Sequence, residues 1–216
     1  AQHFCTTEGT KLHYVNYDEV GQSVSDETMT VKNILQEGNT VKASYYAKIV
    51  TTKAKNNTSY TLFNWSYDGK NTVCTEDLMY GPYIASDSDP DKYDEVARMK
   101  MLDDRKFKGD NSFTIKDSAQ GGETIPDRSY QLILNMLKNE VNISGAAYMG
   151  EEQVHTRAGK FDCIKISYLM RTKIVLKSKT LRVTEWYAKG VGLVKSEAYD
   201  TKGKLDCKTL LVKIDK

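Results

Sequence analysis

Alternation of apolar and polar residues with a period of two dominates this chain. From Val41 to Ile49 every second residue is apolar, and most residues between them are Lys or Ser. This period indicates a strand, because successive side chains of a strand point to opposite faces of the sheet. The pattern returns in 63–67 and 205–211. The sequence therefore predicts antiparallel strands with one buried and one wet face.

Three longer stretches need more than alternation to interpret. Residues 166–184 are rich in β-branched side chains and contain no Gly or Pro, which predicts one long strand or most of a hairpin. Residues 130–141 fit the strand and the helix periods equally well. In 93–107 the apolar residues have roughly helical spacing, which predicts a short helix.

A short turn motif occurs three times, and in each case an aromatic residue and Asp lead into Gly. The copies are 17–21, 67–69 and 199–203. Asp favours turns by hydrogen bonding to nearby backbone, and Gly accepts a positive φ. Three hairpin turns explain the motif without any duplicated domain.

Composition excludes several classes of protein. The 216 residues are 28% charged and 39% hydrophobic, which is typical of a folded chain with a sizeable core. The net charge of +2 lacks the basic excess of nucleic-acid-binding proteins. No apolar run approaches the ~18 residues of a membrane-spanning helix. We expect a single domain over 1–216, with no nucleic-acid partner and no transmembrane segment.

The N-terminus and the cysteines indicate export. The chain starts at Ala1 without a basic or apolar leader, as after removal of a signal peptide or at the boundary of a trimmed chain. Its four cysteines form no C-x-x-C pair, so zinc-ribbon and thioredoxin-type sites have no motif. In an exported chain we expect at least one disulfide. The preferred pair is Cys163 with Cys207, each of which follows an apolar residue and Asp; four buried free thiols are the alternative.

The candidate chemical motifs are weak. Gly190 and Gly192 superficially resemble a nucleotide-binding loop, but the third Gly and the following helix are missing, so we predict a kinked strand. The D-x-D-x-D spacing in 87–91 lacks the Gly and Glu of a calcium loop and predicts a solvated loop. Glu152 and His155 would point to opposite faces of a strand.

Nucleophilic catalysis also lacks a motif, since there is no G-x-S-x-G sequence and only three histidines. We therefore assign no catalytic, cofactor-binding or metal-binding residue and no cofactor.

Three segments carry a family resemblance. Residues 152–166 (EQVHTRAGKFDCIKI) and 185–205 (beginning EWYAKGVGLVK) resemble the two signatures of the domain-of-unknown-function 3108, or TapB-like, family of exported Bacteroidetes proteins. Residues 122–127 (GETIPD) are similar to its turn motif. The likeness is strongest over 120–216, and it departs from the family at Arg157, where relatives have Pro.

This resemblance implies an all-β fold of the YmcC-like envelope-lipoprotein type: a single strongly curved antiparallel sheet forming an open barrel or β-roll, with at most one or two short helices. It favours strand for 130–141. It implies a periplasmic or outer-membrane-associated location and transfers no catalytic or ligand residue. The structural signature residues are Gly159, Phe161, Trp186, Gly190 and Gly192, with Trp186 expected to anchor the core.

The functional expectation is a non-catalytic envelope protein that binds a glycan or a protein partner on its curved sheet. Fourteen tyrosines, each with an apolar ring and a polar tip, favour that ligand class. A half-barrel carrier of a lipid or other apolar ligand is the first alternative, and an enzyme of unknown type is the second. The sequence leaves the oligomeric state open.

Overall fold

The computed structural model describes residues 1–52, 58–77, 106–134 and 136–216, and these residues form thirteen strands. The strands are β1 (Lys11–Tyr17), β2 (Ser23–Glu37), β3 (Thr40–Thr51), β4 (Thr58–Tyr67), β5 (Asn71–Asp77), β6 (Lys106–Gly109), β7 (Ser112–Lys116), β8 (Arg128–Leu134), β9 (Leu137–Thr156), β10 (Gly159–Ile174), β11 (Lys177–Ala188), β12 (Gly192–Tyr199) and β13 (Leu205–Asp215). The described residues contain no helix, so the all-β prediction is confirmed.

All thirteen strands belong to one antiparallel sheet. Their order is β6-β8-β9-β10-β11-β12-β13-β1-β2-β3-β4-β5-β7, so most neighbours in space are also neighbours in sequence. The main long-range pairing joins β1 to β13, with Lys11 opposite Asp215. Hydrogen bonds do not close the sheet, because β6 and β7 are its two edges.

The sheet is strongly curled, because its two edges are consecutive in the chain. Only Asp110 and Asn111 separate β6 from β7, and so short a connection spans roughly 10 Å. The edges must therefore approach each other. A contact across the gap agrees with this, since the hydroxyl of Tyr148 in β9 donates to the carbonyl of Thr114 in β7 at 2.9 Å.

The ambiguous stretches resolve as hairpins. Residues 130–141 belong to β8 and β9, which meet at a turn through Met136, as the family resemblance indicated. Residues 166–184 form the β10–β11 hairpin. Of the predicted helix over 93–107, residues 93–105 lie outside the described residues, and the last two begin β6; the loop predicted at 87–91 also lies outside them.

The three Asp-Gly motifs form the turns that were predicted. In each turn one carboxylate oxygen of Asp accepts two backbone N–H groups at 2.7–3.1 Å. The glycines that follow have φ between 79° and 94°. The residues that do this are Asp18 with Gly21, Asp68 with Gly69, and Asp200 with Gly203.

The curled sheet has two ends, defined here by its turns. The β9–β10 and β11–β12 turns lie at one end, which we call the floor end. The β8–β9, β10–β11 and β12–β13 turns lie at the opposite end, the mouth end, because antiparallel neighbours alternate in direction. The core fills the concave interior near the floor end.

Candidate functional site

The concave interior encloses a cavity of about 270 Å³ above a floor of packed aromatic rings. Trp65 is the centre of this floor. Phe4 stacks on it with centroids 5.7 Å apart, and Tyr45, Phe113 and Tyr187 surround it at 5.6–6.3 Å. Since rings of this kind bury large apolar areas, they both stabilise the core and give the cavity an apolar base.

The N-terminal segment closes the floor end. The backbone N–H of Cys5 donates to the hydroxyl of Tyr45 at 2.5 Å, and that hydroxyl donates to the carbonyl of Val191 at 2.7 Å. The carbonyl of Gln2 accepts from the backbone N–H of Gly190 at 2.9 Å. The segment is therefore hydrogen-bonded to both the wall and the β11–β12 turn, and it acts as a plug.

A row of polar residues crosses the interior face above the aromatic floor. Glu185, Ser196, Thr209, Asn16 and Ser25 stand directly opposite one another on β11, β12, β13, β1 and β2. The hydroxyl of Thr209 donates to the Asn16 side-chain carbonyl at 2.6 Å, and the Asn16 amide donates to Ser25 at 2.9 Å. The cavity thus combines an apolar base with a belt of hydrogen-bonding groups.

Two carboxyl groups face the cavity. Glu185 accepts hydrogen bonds from the hydroxyls of Tyr168 at 2.8 Å and Tyr187 at 2.5 Å. Burial raises the pKa of Glu185, although these hydrogen bonds and the charge of Arg128 oppose the shift. Burial also raises the pKa of Glu27 to about 7, opposed by a hydrogen bond to the Asn16 side chain.

Arg128 provides the cationic group of the cavity wall. Its guanidinium lies 6.0 Å from the ring centroid of Phe113 and 5.9 Å from that of Tyr168. A guanidinium held against aromatic faces keeps its donors available for carboxylate, phosphate or hydroxyl oxygens. Arg128, Tyr130 and Met170 line the cavity and are half-buried, unlike Trp65, Tyr45 and Tyr187 of the floor, which are buried.

The cavity contains hydrogen-bond acceptors and donors but no histidine in its lining. Within the described part of the chain, no three His, Cys, Asp or Glu side chains lie close enough together to hold a metal ion. The arrangement is suited to holding a small amphipathic molecule, whose apolar part would meet the rings and whose polar groups would meet the belt.

The structural signature residues lie outside this cavity. Gly190 and Gly192 have φ values of 70° and 109° in and beside the β11–β12 turn, and Gly159 has φ 139° after the β9–β10 turn. These values lie in the region that favours glycine. Phe161 is half-buried and packs against the core cluster.

Trp186 is buried, but on the convex face. Its neighbours Glu185 and Tyr187 line the cavity, so Trp186 points the other way. Its indole N–H donates to Glu152 at 3.0 Å, and the ammonium groups of Lys165 and Lys195 lie 5.3 and 4.6 Å from its ring centroid. Trp186 therefore belongs to the buried core cluster, whereas Trp65 forms the centre of the aromatic floor on the other face of the sheet.

The structure corrects the preferred disulfide. Cys163 is on β10 and Cys207 on β13, with β11 and β12 between them, and no disulfide joins them. Three strand spacings amount to about 14 Å, far beyond the reach of a disulfide. Equal strand phase does not bring two residues together when the strands are not neighbours.

The two cavity carboxyl groups were not among the candidate residues from the sequence, although their positions within the strands could have indicated them. Glu185 shares the strand phase of Val183 and Tyr187, and Glu27 shares that of Met29 and Val31. A charged residue at a position of the strand where the alternating residues are apolar indicates a polar group on the buried face.

Comparisons with known proteins agree with this architecture, an all-β curled sheet of the kind found in exported bacterial proteins. A DUF3108-like family model matches residues 7–211, and the chain belongs to that family. No curated protein matches the chain. Within the described residues, no helix is long and apolar enough to cross a membrane.

Two solved structures share the fold over nearly their whole length. One is a protein from Bacteroides fragilis described as exported, with a YmcC-like fold; it is 21% identical, with a TM-score of 0.73, covering 99% of this chain and 98% of that one. The other, from Parabacteroides distasonis, is described as a lipoprotein and is 16% identical, with the same TM-score and coverage.

Proposed function

We propose that this chain is a non-catalytic binding protein of the cell envelope that holds one sugar-sized unit of a glycan in its interior cavity. The observation that carries the proposal is the lining itself: aromatic rings at the base, with two carboxyl groups and Arg128 in the wall. Aromatic faces pack against the apolar faces of sugar rings, and carboxyl and guanidinium groups bind hydroxyls.

The cavity volume favours a small ligand. Pockets for drug-sized molecules measure about 300–1,000 Å³, and this cavity measures about 270 Å³. A whole lipid needs more room, so lipid carriage ranks second.

The envelope location rests on the relatives. The two proteins of the same fold are described as exported and as a lipoprotein. We propose a periplasmic or outer-membrane-associated location for this chain, which also suits a glycan ligand. A protein partner on the outer surface remains the alternative use of the sheet.

Trp65 allows a direct test by fluorescence. Trp186→Phe leaves Trp65 as the single tryptophan, and titration with mono- and oligosaccharides should give a saturable change in its emission. Glu185→Gln in that background should weaken binding about tenfold, because an amide offers one acceptor oxygen and cannot form the stronger hydrogen bonds of a carboxylate. Glu151→Gln, exposed and outside the cavity, is the matched control and should bind normally.

Two outcomes would contradict the proposal. One is the absence of saturable sugar binding at millimolar concentrations. The other is an acyl-chain ligand retained in native mass spectra of protein purified from its own envelope, which would establish the lipid-carrier alternative.

A further inference from the structure

The β10–β11 turn carries exposed apolar side chains at the mouth end of the sheet. Ile174, Val175 and Leu176 are all exposed, Leu176 to 94%. Met136 (95% exposed) and Leu137 lie in the adjacent β8–β9 turn, beside them because Ile174 pairs with Asn139 of β9. We call these five residues the apolar apex.

The backbone conformation at the apex is also unfavourable, in addition to the exposure of its apolar side chains. Val175 has φ 55° and Met136 has φ 65°, in the left-handed region where glycine is favoured. A β-branched residue is rare there. The chain therefore keeps Val at a position where Gly would relieve strain and remove an exposed apolar group, and strain of this kind concentrates at functional sites.

A collar of cationic residues stands directly behind the apex. Arg171, Lys173, Lys177 and Lys179 are all exposed, and 171–179 contains no acidic residue. Lys177 and Lys179 pair with Ile174 and Thr172, whereas Lys173 pairs with Ser178, so the cations occupy both faces of the hairpin. Although Lys173, Lys177 and Lys179 have the same parity in the sequence, the turn between the strands places Lys173 on the opposite face from the other two.

Within the described residues, Asp206 and Glu140 partly balance this charge. Asp206 pairs with Lys179 at 2.7 Å, and Glu140 pairs with Lys138 of β9 at 2.7 Å and stands directly opposite Lys173. The four collar cations and Lys138 outnumber these two carboxylates, so the tip stays positive. A membrane surface has anionic head groups above a hydrocarbon layer. The apex matches this arrangement, because its apolar tip is followed by positive charge on both faces of the hairpin.

We propose that the apolar apex and its cationic collar dock this protein onto an anionic phospholipid bilayer. Ile174, Val175 and Leu176 enter the boundary between head groups and acyl chains, and the collar contacts lipid phosphates. A lipid surface fits better than a protein partner, because a stable protein interface buries about 800 Å² on each side, and a narrow hairpin tip offers less.

Docking in this orientation turns the end of the sheet opposite the aromatic floor towards the membrane, because the apex lies at that end. The inference stands apart from the proposed sugar binding, since it depends on none of the cavity residues. It can be tested with lipid alone.

Co-sedimentation with vesicles tests the docking. Wild-type protein should bind vesicles of phosphatidylcholine with 30–40% phosphatidylglycerol, roughly matching an anionic surface, and should bind pure phosphatidylcholine much less. Leu176→Ser should reduce partitioning into the vesicles about tenfold, because less apolar surface is buried. The double variant Lys173→Ser with Lys177→Ser should make vesicle binding less sensitive to salt concentration. The control is Leu35→Ser, since Leu35 is 47% exposed near the floor end.

A second measurement reports insertion directly. The two native tryptophans are buried, so Trp at position 176 in Leu176→Trp would supply the exposed signal. Anionic vesicles should shift its emission to the blue, and brominated lipids should quench it. The proposal fails if wild-type protein ignores anionic vesicles, if Leu176→Ser binds like wild type, or if Leu176→Ser instead converts a dimer to a monomer in light scattering, which would assign the apex to a protein interface.

Discussion

At the scale of single residues, Glu27 is the group with the clearest physical consequence. It is buried on the interior face of β2, where desolvation penalises its charged form and raises its pKa to about 7. Glu185 is shifted in the same direction but is held by two tyrosine hydroxyls. Among the described residues, a single hydrogen bond, to the Asn16 side chain, opposes the shift of Glu27, so its ionisation bears more directly on stability.

This difference predicts a pH effect that one substitution should remove. The folded pKa of Glu27 lies above the ordinary 4.5, so the folded state favours the protonated carboxyl. The stability that this provides is fully present below pH 4.5 and is lost as the pH rises through 7. Glu27→Gln should therefore stabilise the protein at pH 8, by up to about 3 kcal/mol, with little effect at pH 4.5. Urea unfolding at both pH values measures this.

Glu185 will leave some residual pH dependence, since its pKa shift has the same sign. Glu151→Gln, at an exposed position, is the control and should leave the pH dependence of stability unchanged. If the free energy of unfolding of Glu27→Gln changes between pH 4.5 and 8 as much as that of the wild type, Glu27 does not cause the pH dependence.

At the scale of strands and turns, Gly109 has the tightest environment of the glycines in the described part of the chain. It ends β6, where the chain leaves one sheet edge to join the other, and its φ is 99°. A Cβ there would collide with the backbone carbonyl of Ser129 and lie 2.8 Å from the Cα of Tyr130. Gly192 differs, because a Cβ there would make ordinary contacts of 3.5–3.7 Å.

The two glycines should therefore respond differently to alanine. Gly109→Ala should cost more than about 3 kcal/mol, since left-handed strain and a backbone clash add. Gly192→Ala should cost about 1–2 kcal/mol, from the left-handed conformation alone. Thermal and urea unfolding of both variants give the comparison, and equal losses would contradict the role assigned to the β6–β7 connection.

At the scale of the whole molecule, the N-terminal plug joins the two halves of the curled sheet. Phe4 is fully buried and stacks on Trp65 of β4, and its neighbours bond to β3 and to the β11–β12 turn. The plug therefore contributes to stability and also closes the cavity at the floor end.

Removing the plug's ring should weaken the whole fold. Phe4→Ala should destabilise the protein by about 3–5 kcal/mol, as for other buried Phe truncations, and should open the floor of the cavity. Phe107→Ala is the matched control: Phe107 also stacks on an aromatic ring, that of Tyr130 at 5.9 Å, but is exposed at the sheet edge. A loss for Phe4→Ala no larger than for Phe107→Ala would show that the plug is dispensable.

The sequence by itself determined the local elements of this protein. Alternation over 41–49 and 205–211 reflects a strand with one buried face, and the Asp-Gly turns form through hydrogen bonds between residues two to four apart. Both signals are local, because strand phase and turn geometry depend on a few consecutive residues. They suffice for an all-β chain of hairpins, and the family signatures supplied its curvature.

Only the tertiary structure decided what the strands enclose. The pairing of β1 with β13, the placement of Phe4 beneath Trp65 and the hydrogen bond from Thr209 to Asn16 in the polar belt all join residues far apart in the chain. The same limit explains Cys163 and Cys207: strand phase was visible in the sequence, but strand order was not. Order, register and curl depend on packing between distant segments, and so does the cavity that they create.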